Sequence, residues 1–530
     1  MRSLSGRAGL VAGAGVLLVA AWASPRAIPY NMDEFVHYHA LGCATAPLSR
    51  ELPSFRDGCG LYDLRLPFTS TPLPLRSYYY IGSLPSVPFY PFWRAIGDPV
   101  AARIQGAVFF VLSVALAARL LRVRSAAAVV AGLVFPVFLV TFLVDEGPFG
   151  LSAVLLLAAL LALRRALGAQ IRRSAAAWAV LSGVLLAAGV WVKLVFAWWL
   201  PGVAAFALGE GWHREGSIGA AVRRRRAALA VAAVAFLVPT VLLLASVDRD
   251  GRTYASALRR GRISAAPEHV QAGAGRLAQY VVQGSVVAPR NLELPPSPVD
   301  GLPAGLSAGL LGLATWRRFE RRREIVAAAG LAALTFALVA SSGFSQWPHH
   351  VAFALLWLVL ALALALDALG ARLRLVAVAL VAAFWVTLAV RWPASTSPIE
   401  SSKDKDALLR FVRTQGLDRE ALQVHSSWGT YYIAQLFGDP GRMVVYIKGV
   451  TDDPRQLQQV RDLARVRGRP LLLLSARRWA RLQTPEADAI LGQPYRAVRF
   501  GAWWAVEYQE QPTAGAGAGS PLVKSASPRR

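Results

Sequence analysis

Residues 31–39 read NMDEFVHYH. Two carboxylates, Asp33 and Glu34, stand beside two imidazoles, His37 and His39, directly after an apolar stretch. A second acidic pair, Asp145 and Glu146, ends an apolar run in TFLVDEGPFG. Arg103 opens another run, Lys193 interrupts AAGVWVKLVFAWWLP, and Trp347, His349 and His350 stand in GFSQWPHH. The chemistry that suits these groups is transfer from a lipid phosphate. A carboxylate takes the proton from an attacking hydroxyl as general base. Cations stabilise the charge that builds on a departing phosphate. Phosphate needs little protonation to leave, so one base plus Arg or Lys suffices.

His37 lies four positions after Asp33, so both can share one helical face. With Glu34, His349 or His350 they offer ligands to a divalent metal such as zinc, manganese or magnesium. No dedicated metal spacing is present, and plain hydrogen-bonding imidazoles account for the same residues. An acidic pair taken alone is a helix end satisfied by water. Two pairs plus Lys193, at the ends of different runs, point to one polar cavity, because ionisable groups near membrane depth are costly and face cavities.

The elements that must position these groups are membrane spans. The chain has 530 residues, 55% hydrophobic and 17% charged, with mean hydropathy +0.42. Its apolar residues come in blocks of roughly twenty, enough to cross ~30 Å of hydrocarbon as helix. Eleven spans are read, at 8–24, 100–121, 125–144, 148–166, 175–192, 194–209, 227–246, 303–316, 325–342, 350–367 and 374–391. The first ends in AWASP, which resembles a cleavage site. An uncleaved helix is expected, since the polar cluster after it must be held at the membrane surface.

A net charge of +26 raises the question of nucleic acid, but no recognition motif accompanies it. The arginines instead fill short links between spans: Arg122/Arg124, Arg164/Arg165/Arg172/Arg173, Arg223–Arg226, Arg317/Arg318/Arg321–Arg323 and Arg372/Arg374. By the positive-inside rule that side is cytoplasmic. The N-terminus is then cytoplasmic, and the acidic pairs, Lys193, the His349–His350 pair and the C-terminal region are extracytoplasmic. This is the pattern of a multi-pass protein of a bacterial-type cytoplasmic membrane. In the outer loop 25–99, residues 77–93 (SYYYIGSLPSVPFYPFW) read as short interfacial helices, tyrosine and tryptophan favouring the headgroup zone. Cys43 and Cys59 share that loop, and a disulfide is expected if it faces an oxidising compartment. Such a bridge would contribute ~3 kcal/mol; two free thiols are the alternative. The outer loop 247–302 is arginine-rich and reads either as solvated surface or as a basic surface for lipid phosphates.

Past residue 391 the pattern changes. A soluble helix is expected at 402–415. LQVHS, MVVYI, PLLLLS, YRAVRF and WWAVEY read as short strands, with helices near 454–466 and 476–491. The alternation predicts a small α/β domain over 392–511. The Gly-, Ala-, Ser- and Pro-rich tail 512–530 is expected to be disordered.

In order and spacing, five stretches resemble one family. They are NMDEFVHYHAL, LRSYYYIGSLPSVPFYPFWRAIGDPVAARIQGAVF, LVDEGPFGLSAVLLLAALLAL, GVWVKLVFAWWLP and QWPHHVAFALLWL. The family is that of the GT-C fold glycosyltransferases, in particular the branch of protein O-mannosyltransferases and aminoarabinose transferases. The resemblance implies an α-helical polytopic membrane module over 1–391 with an extracytoplasmic α/β domain. It implies inverting transfer from a polyprenyl-phosphate sugar, among membrane lipids, to a glycan, lipid or protein acceptor. Asp33 would be the base, with Glu34 beside it, and Asp145 and Glu146 would orient the acceptor or a metal. Arg103 and Lys193 would hold the donor phosphate, with His37, Arg76, Trp347, His349 and His350 completing the substrate site. Two classes compete. An O-antigen-type polymerase or ligase would use arginines of long outer loops, which 247–302 supplies. A transporter or lipid flippase would be expected to show repeats or helices broken near mid-membrane, and no repeat is present.

Overall fold

The computed structural model describes residues 35–41, 63–65, 72–74, 76–78, 81–144, 148–247, 266–282, 297–316, 321–343, 348–391, 422–426, 428–437, 444–446, 453–467, 470–492, 494–500 and 503–508, with Gly15, Ala407, Arg410, Phe411 and Val450. Outside the described residues lie Asp33, Glu34, Asp145, Glu146, Trp347, Cys43 and Cys59, and the tail 512–530. So do the first span 8–24 apart from Gly15, most of 402–415, and the side chain of Arg76.

The protein is a polytopic, helical membrane protein with a small C-terminal α/β region. Two hairpins come first, β1 (Asp63–Arg65) with β2 (Pro72–Pro74) and β3 (Arg76–Tyr78) with β4 (Ile81–Gly82). They precede α1 (Ser86–Ile96) and α2 (Val100–Leu121). The aromatic stretch is therefore a hairpin followed by one helix, where a run of short helices was expected. Gly82 explains the hairpin's seat: a Cβ there would overlap the Trp191 carbonyl, so only glycine allows the approach.

The expected single span 125–144 is two helices, α3 (Ser125–Leu133) and α4 (Pro136–Leu143), bent by 95°. Pro136 causes the break. Proline ends an incoming helix, and the residue before it is pushed out of helical geometry; Phe135 is extended, with φ −108° and ψ 112°. The bundle continues as α5 (Phe149–Gly168), α6 (Arg172–Val192), a 3-10 turn over Leu194–Trp199, α7 (Leu200–Glu215) and α8 (Ile218–Val247). The loop read over 247–302 contains a helix, α9 (Pro267–Val282). A Cβ on its Gly273 would overlap the Ala340 carbonyl, so α9 docks backbone to backbone on the bundle. Then come α10 (Leu302–Trp316), α11 (Arg322–Ala340), a 3-10 turn Pro348–His350, α12 (Val351–Ala368) and α13 (Ala371–Arg391).

Among the described residues, eight helices are long and apolar enough to cross a membrane, or nine with α3 and α4 as one broken span. Helix α12 is apolar all round and buried along most of its length, as a central helix must be. Helices α8 and α13 instead turn Leu237, Val241 and Leu242, and Leu375, Val386 and Val390, outward. The arginine links gather at one end of the bundle. Arg164 Nε donates to Glu210 at 2.7 Å, Arg321 to the Leu121 carbonyl at 2.6 Å, and the Arg124 amide to Asp367 at 3.0 Å. Of the polar residues singled out in the sequence, Arg103, Lys193, His349 and His350 lie at the other.

The C-terminal sheet has five strands: β5 (Leu422–His425), β6 (Val444–Tyr446), β7 (Pro470–Ser475), β8 (Pro494–Phe500) and β9 (Trp503–Tyr508), in the order β6-β5-β7-β9-β8. Strands β5, β6 and β7 are parallel; β9 runs antiparallel to β7 and pairs with β8 as a hairpin. The central strand β7, PLLLLS, is buried along its length, which is why it reads as a continuous apolar run. The helices are α14 (Trp428–Phe437), α15 (Pro454–Arg467), α16 (Ala476–Leu482) and α17 (Pro485–Leu491). Helix α14 was not foreseen. The helix expected at 476–491 divides at Thr484, whose hydroxyl accepts from the Ala487 amide ahead of Pro485.

Candidate functional site

The site is built where helices break. Helix α6 stops at Lys193, which is extended, with φ −158° and ψ 128°. Its main chain bridges Ile81 of β4, tying the outer hairpin to the helix end. The chain then turns over tightly: a Cβ on Gly189 would overlap the Phe196 ring. The Lys193 side chain is fully buried. Its Nζ lies 3.2 Å from Nε2 of His350 and 3.4 Å from Nε2 of His349, and the two imidazole nitrogens are 3.1 Å apart. Burial first, and then the Lys193 charge, push the His349 imidazole well below its usual range, so it is neutral. Trp198 closes edge-on against His350 at 5.4 Å. Trp199 Nε1 donates to the Phe353 carbonyl at 2.7 Å and locks the 3-10 turn to α12.

Arg103, also fully buried, enters from the first turn of α2. Its Nη1 donates to the Leu143 carbonyl at 3.2 Å, at the end of α4. Leu143 precedes Asp145 by two residues, so the guanidinium stands where the chain runs into the second acidic pair. A Cβ on Gly106 would overlap the Phe142 carbonyl, which is how α2 and α4 come close enough for that bond. Helix α4 also packs against the Pro348–His350 turn. Rings run from Phe142, next to Leu143, to Lys193: Phe142 to Phe149 at 5.0 Å, Phe149 to Phe353 at 5.3 Å, and Phe353 to Lys193 Nζ at 5.8 Å.

The first acidic segment closes the ring of contacts. Phe35 follows Glu34, and residues 35–41 are all buried. Within the 3-10 turn Val36–Tyr38, the His37 carbonyl accepts from Ser86 Oγ at 3.2 Å. Tyr38 stacks on Phe89 at 3.7 Å, and its hydroxyl accepts from Gln105 Nε2 at 2.7 Å. Arg76 pairs through its main chain with Gly82, next to Ile81 and so beside Lys193. Segment 35–41, Arg103, Arg76, Lys193, His349 and His350 therefore belong to one end of the bundle, linked through contacts of the elements that carry them.

The chain shares the fold of ArnT. The crystal structure of ArnT from Cupriavidus metallidurans bound to undecaprenyl phosphate aligns with 94% of this chain and 98% of its own, with TM-score 0.59 and 14% identity. The apo-state structure of the same protein aligns with the same values. No protein-family profile matches the sequence, and no curated protein does. The likeness to ArnT bears on the fold and agrees with the GT-C architecture read from the motifs.

Within this ArnT-like frame, Tyr38, Gln105, Ser86 and Gly82 are contributors that the sequence reading missed. Gln105 had a signal: it is a fully buried amide inside the apolar helix VAARIQGAVFF. The others had none, because they matter through contacts far along the chain. Asp33 and Glu34 of the expected metal set lie outside the described residues. No three His, Cys, Asp or Glu side chains converge among them. The His349–His350 pair turns its Nε2 atoms on an ammonium, which is a poor neighbour for a metal ion.

Proposed function

We propose that the protein is a GT-C-type membrane glycosyltransferase. It moves a sugar from a polyprenyl-phosphate donor to a lipid, glycan or protein acceptor at the outer face of the cytoplasmic membrane, with inversion. One observation carries this reading. Two fully buried cations, Arg103 and Lys193, are held by a main-chain carbonyl and by imidazoles at the bundle end that receives both acidic segments. The fold shared with ArnT, crystallised with undecaprenyl phosphate, supports the choice of a lipid phosphate.

In this reading the donor phosphate rests on Arg103 and Lys193, with Arg76 and Trp347 at its margin. Neutral His349, with His350 beside it, orients the Lys193 ammonium without competing for the anion. Asp33, with Glu34 beside it, takes the proton from the acceptor hydroxyl. That oxygen bonds to the anomeric carbon as the carbon–oxygen bond to phosphate breaks. Polyprenyl phosphate leaves with one more negative charge, which the two cations stabilise. Asp145 and Glu146 orient the acceptor. The arginine-rich end of the bundle faces the cytoplasm, and the C-terminal region lies outside. Lipid profiling of a deletion strain tests the proposal. A polyprenyl-phosphate sugar should accumulate; an unchanged polyprenyl-phosphate pool would contradict it.

A further inference from the structure

Helix α14 lies between the C-terminal sheet and the segment that follows the first acidic pair. His39 Nδ1 stands 2.7 Å from Gln435 Oε1, with both residues buried. The Phe35 ring meets Phe437 edge to face at 5.4 Å. His39 packs edge-on against Tyr431 at 5.6 Å and Tyr432 at 5.2 Å. The Leu436 carbonyl of the same helix accepts from Trp93 Nε1 of α1 at 2.5 Å. The buried apolar residues of the sheet and of segment 35–41 form one continuous cluster. Helix α14 thus grips both the segment and the helix α1 beneath it.

We infer that α14 is a positioning element for the acidic pair. The His39–Gln435 hydrogen bond and the Phe35–Phe437 contact fix the chain immediately after Glu34. His39 and Gln435 are positioning residues that act through the backbone of this segment; they do not touch the reacting atoms. The catalytic consequence rests on the glycosyltransferase reading, whereas the grip itself does not. A base attached directly to this segment gains from such a grip, because a displacement of about 1 Å at a reacting group costs ~10²-fold in rate.

The test uses the full-length protein in lipid nanodiscs. Gln435→Leu removes the acceptor at similar size. His39→Asn retains an N–H donor close to the place of Nδ1. Hydrogen exchange is followed by mass spectrometry for peptides covering 35–41 and, separately, for α5 and α12. Gln435→Leu should speed exchange in 35–41 by ~10-fold or more and leave α5 and α12 unchanged. With the polyprenyl-phosphate sugar donor, its kcat should fall ~10- to 100-fold while the donor KM stays constant. His39→Asn should stay near the wild type in both measurements. Phe437→Leu, a milder change, should give the same local rise in exchange if Gln435→Leu folds poorly. Unchanged exchange at 35–41, or an equal rise in every peptide, would overturn the inference. If exchange responds locally but the wild-type protein transfers no sugar, the grip stands and the glycosyltransferase reading falls.

Discussion

Gly106 presents its Cα to the carbonyl oxygen of Phe142, and a Cβ there would overlap that atom. The contact sets the distance between α2 and α4, and with it the bond from Arg103 to Leu143. Gly106→Ala should push the helices apart and cost about 1–3 kcal/mol, the usual range for overpacking a close contact. A thermal melt in detergent should fall accordingly, and donor binding should weaken because Arg103 shifts. A melt equal to that of the wild type would show that α2 and α4 do not meet so closely.

The roles within the first acidic pair separate by isosteric change. Asp33→Asn keeps size but removes the basic carboxylate, and turnover should fall ~10²–10⁴-fold. Donor binding should change little, since the phosphate rests on Arg103 and Lys193. Glu34→Gln should be milder. The opposite ranking would exchange the roles of the two residues.

Acid should loosen the C-terminal region. Burial pushes His39 down to about 4, a Gln435 hydrogen bond only partly opposing it, and pushes His425 down to about 3. The ordinary value is 6.5. Both imidazoles are therefore neutral in the folded protein at pH 7. Below about 6.5 the unfolded chain takes up protons that the folded chain does not. Stability from this source is complete above pH 6.5 and is lost as pH falls towards 4. For His39 the loss amounts to about 3 kcal/mol. Tyr431, which faces both histidines, is raised well above its usual range by burial and stays neutral throughout. Melts between pH 7 and pH 4.5 should fall steadily, and less so for His39→Asn. Equal slopes for the two proteins would remove His39 from the account.

Much of this was legible in the sequence because membranes impose simple rules. Apolar length gave eight of the eleven spans read, while 125–144 is broken, 303–316 is a shorter helix and 8–24 lies outside the described residues apart from Gly15. Arginine links gave the common end, and the positions of Arg103, Lys193, His349 and His350 at run ends anticipated where they gather. Local irregularities were less legible. Pro136 could have announced the bend of 95°, but apolar composition on both sides hid it. The β3–β4 hairpin was hidden by aromatic residues that suit an interfacial helix equally well. Helix α14 was hidden because WGTYYIAQLF carries β-favouring aromatics, and only packing against both sheet and loop decides its form. Tyr38 with Gln105, and His39 with Gln435, are partners 67 and 396 positions apart, which no local pattern reveals.

The central claim is that Lys193 and Arg103 form a phosphate site for a polyprenyl lipid. It is tested most directly by equilibrium binding of polyprenyl phosphate to the full-length protein in nanodiscs, with the uncharged polyprenol as comparison. The wild type should prefer the phosphate. Lys193→Ala should weaken polyprenyl phosphate binding ~10- to 100-fold, the loss of one charged hydrogen bond, and leave polyprenol binding unchanged. Polyprenyl phosphate bound equally well by a folded Lys193→Ala protein would contradict the account.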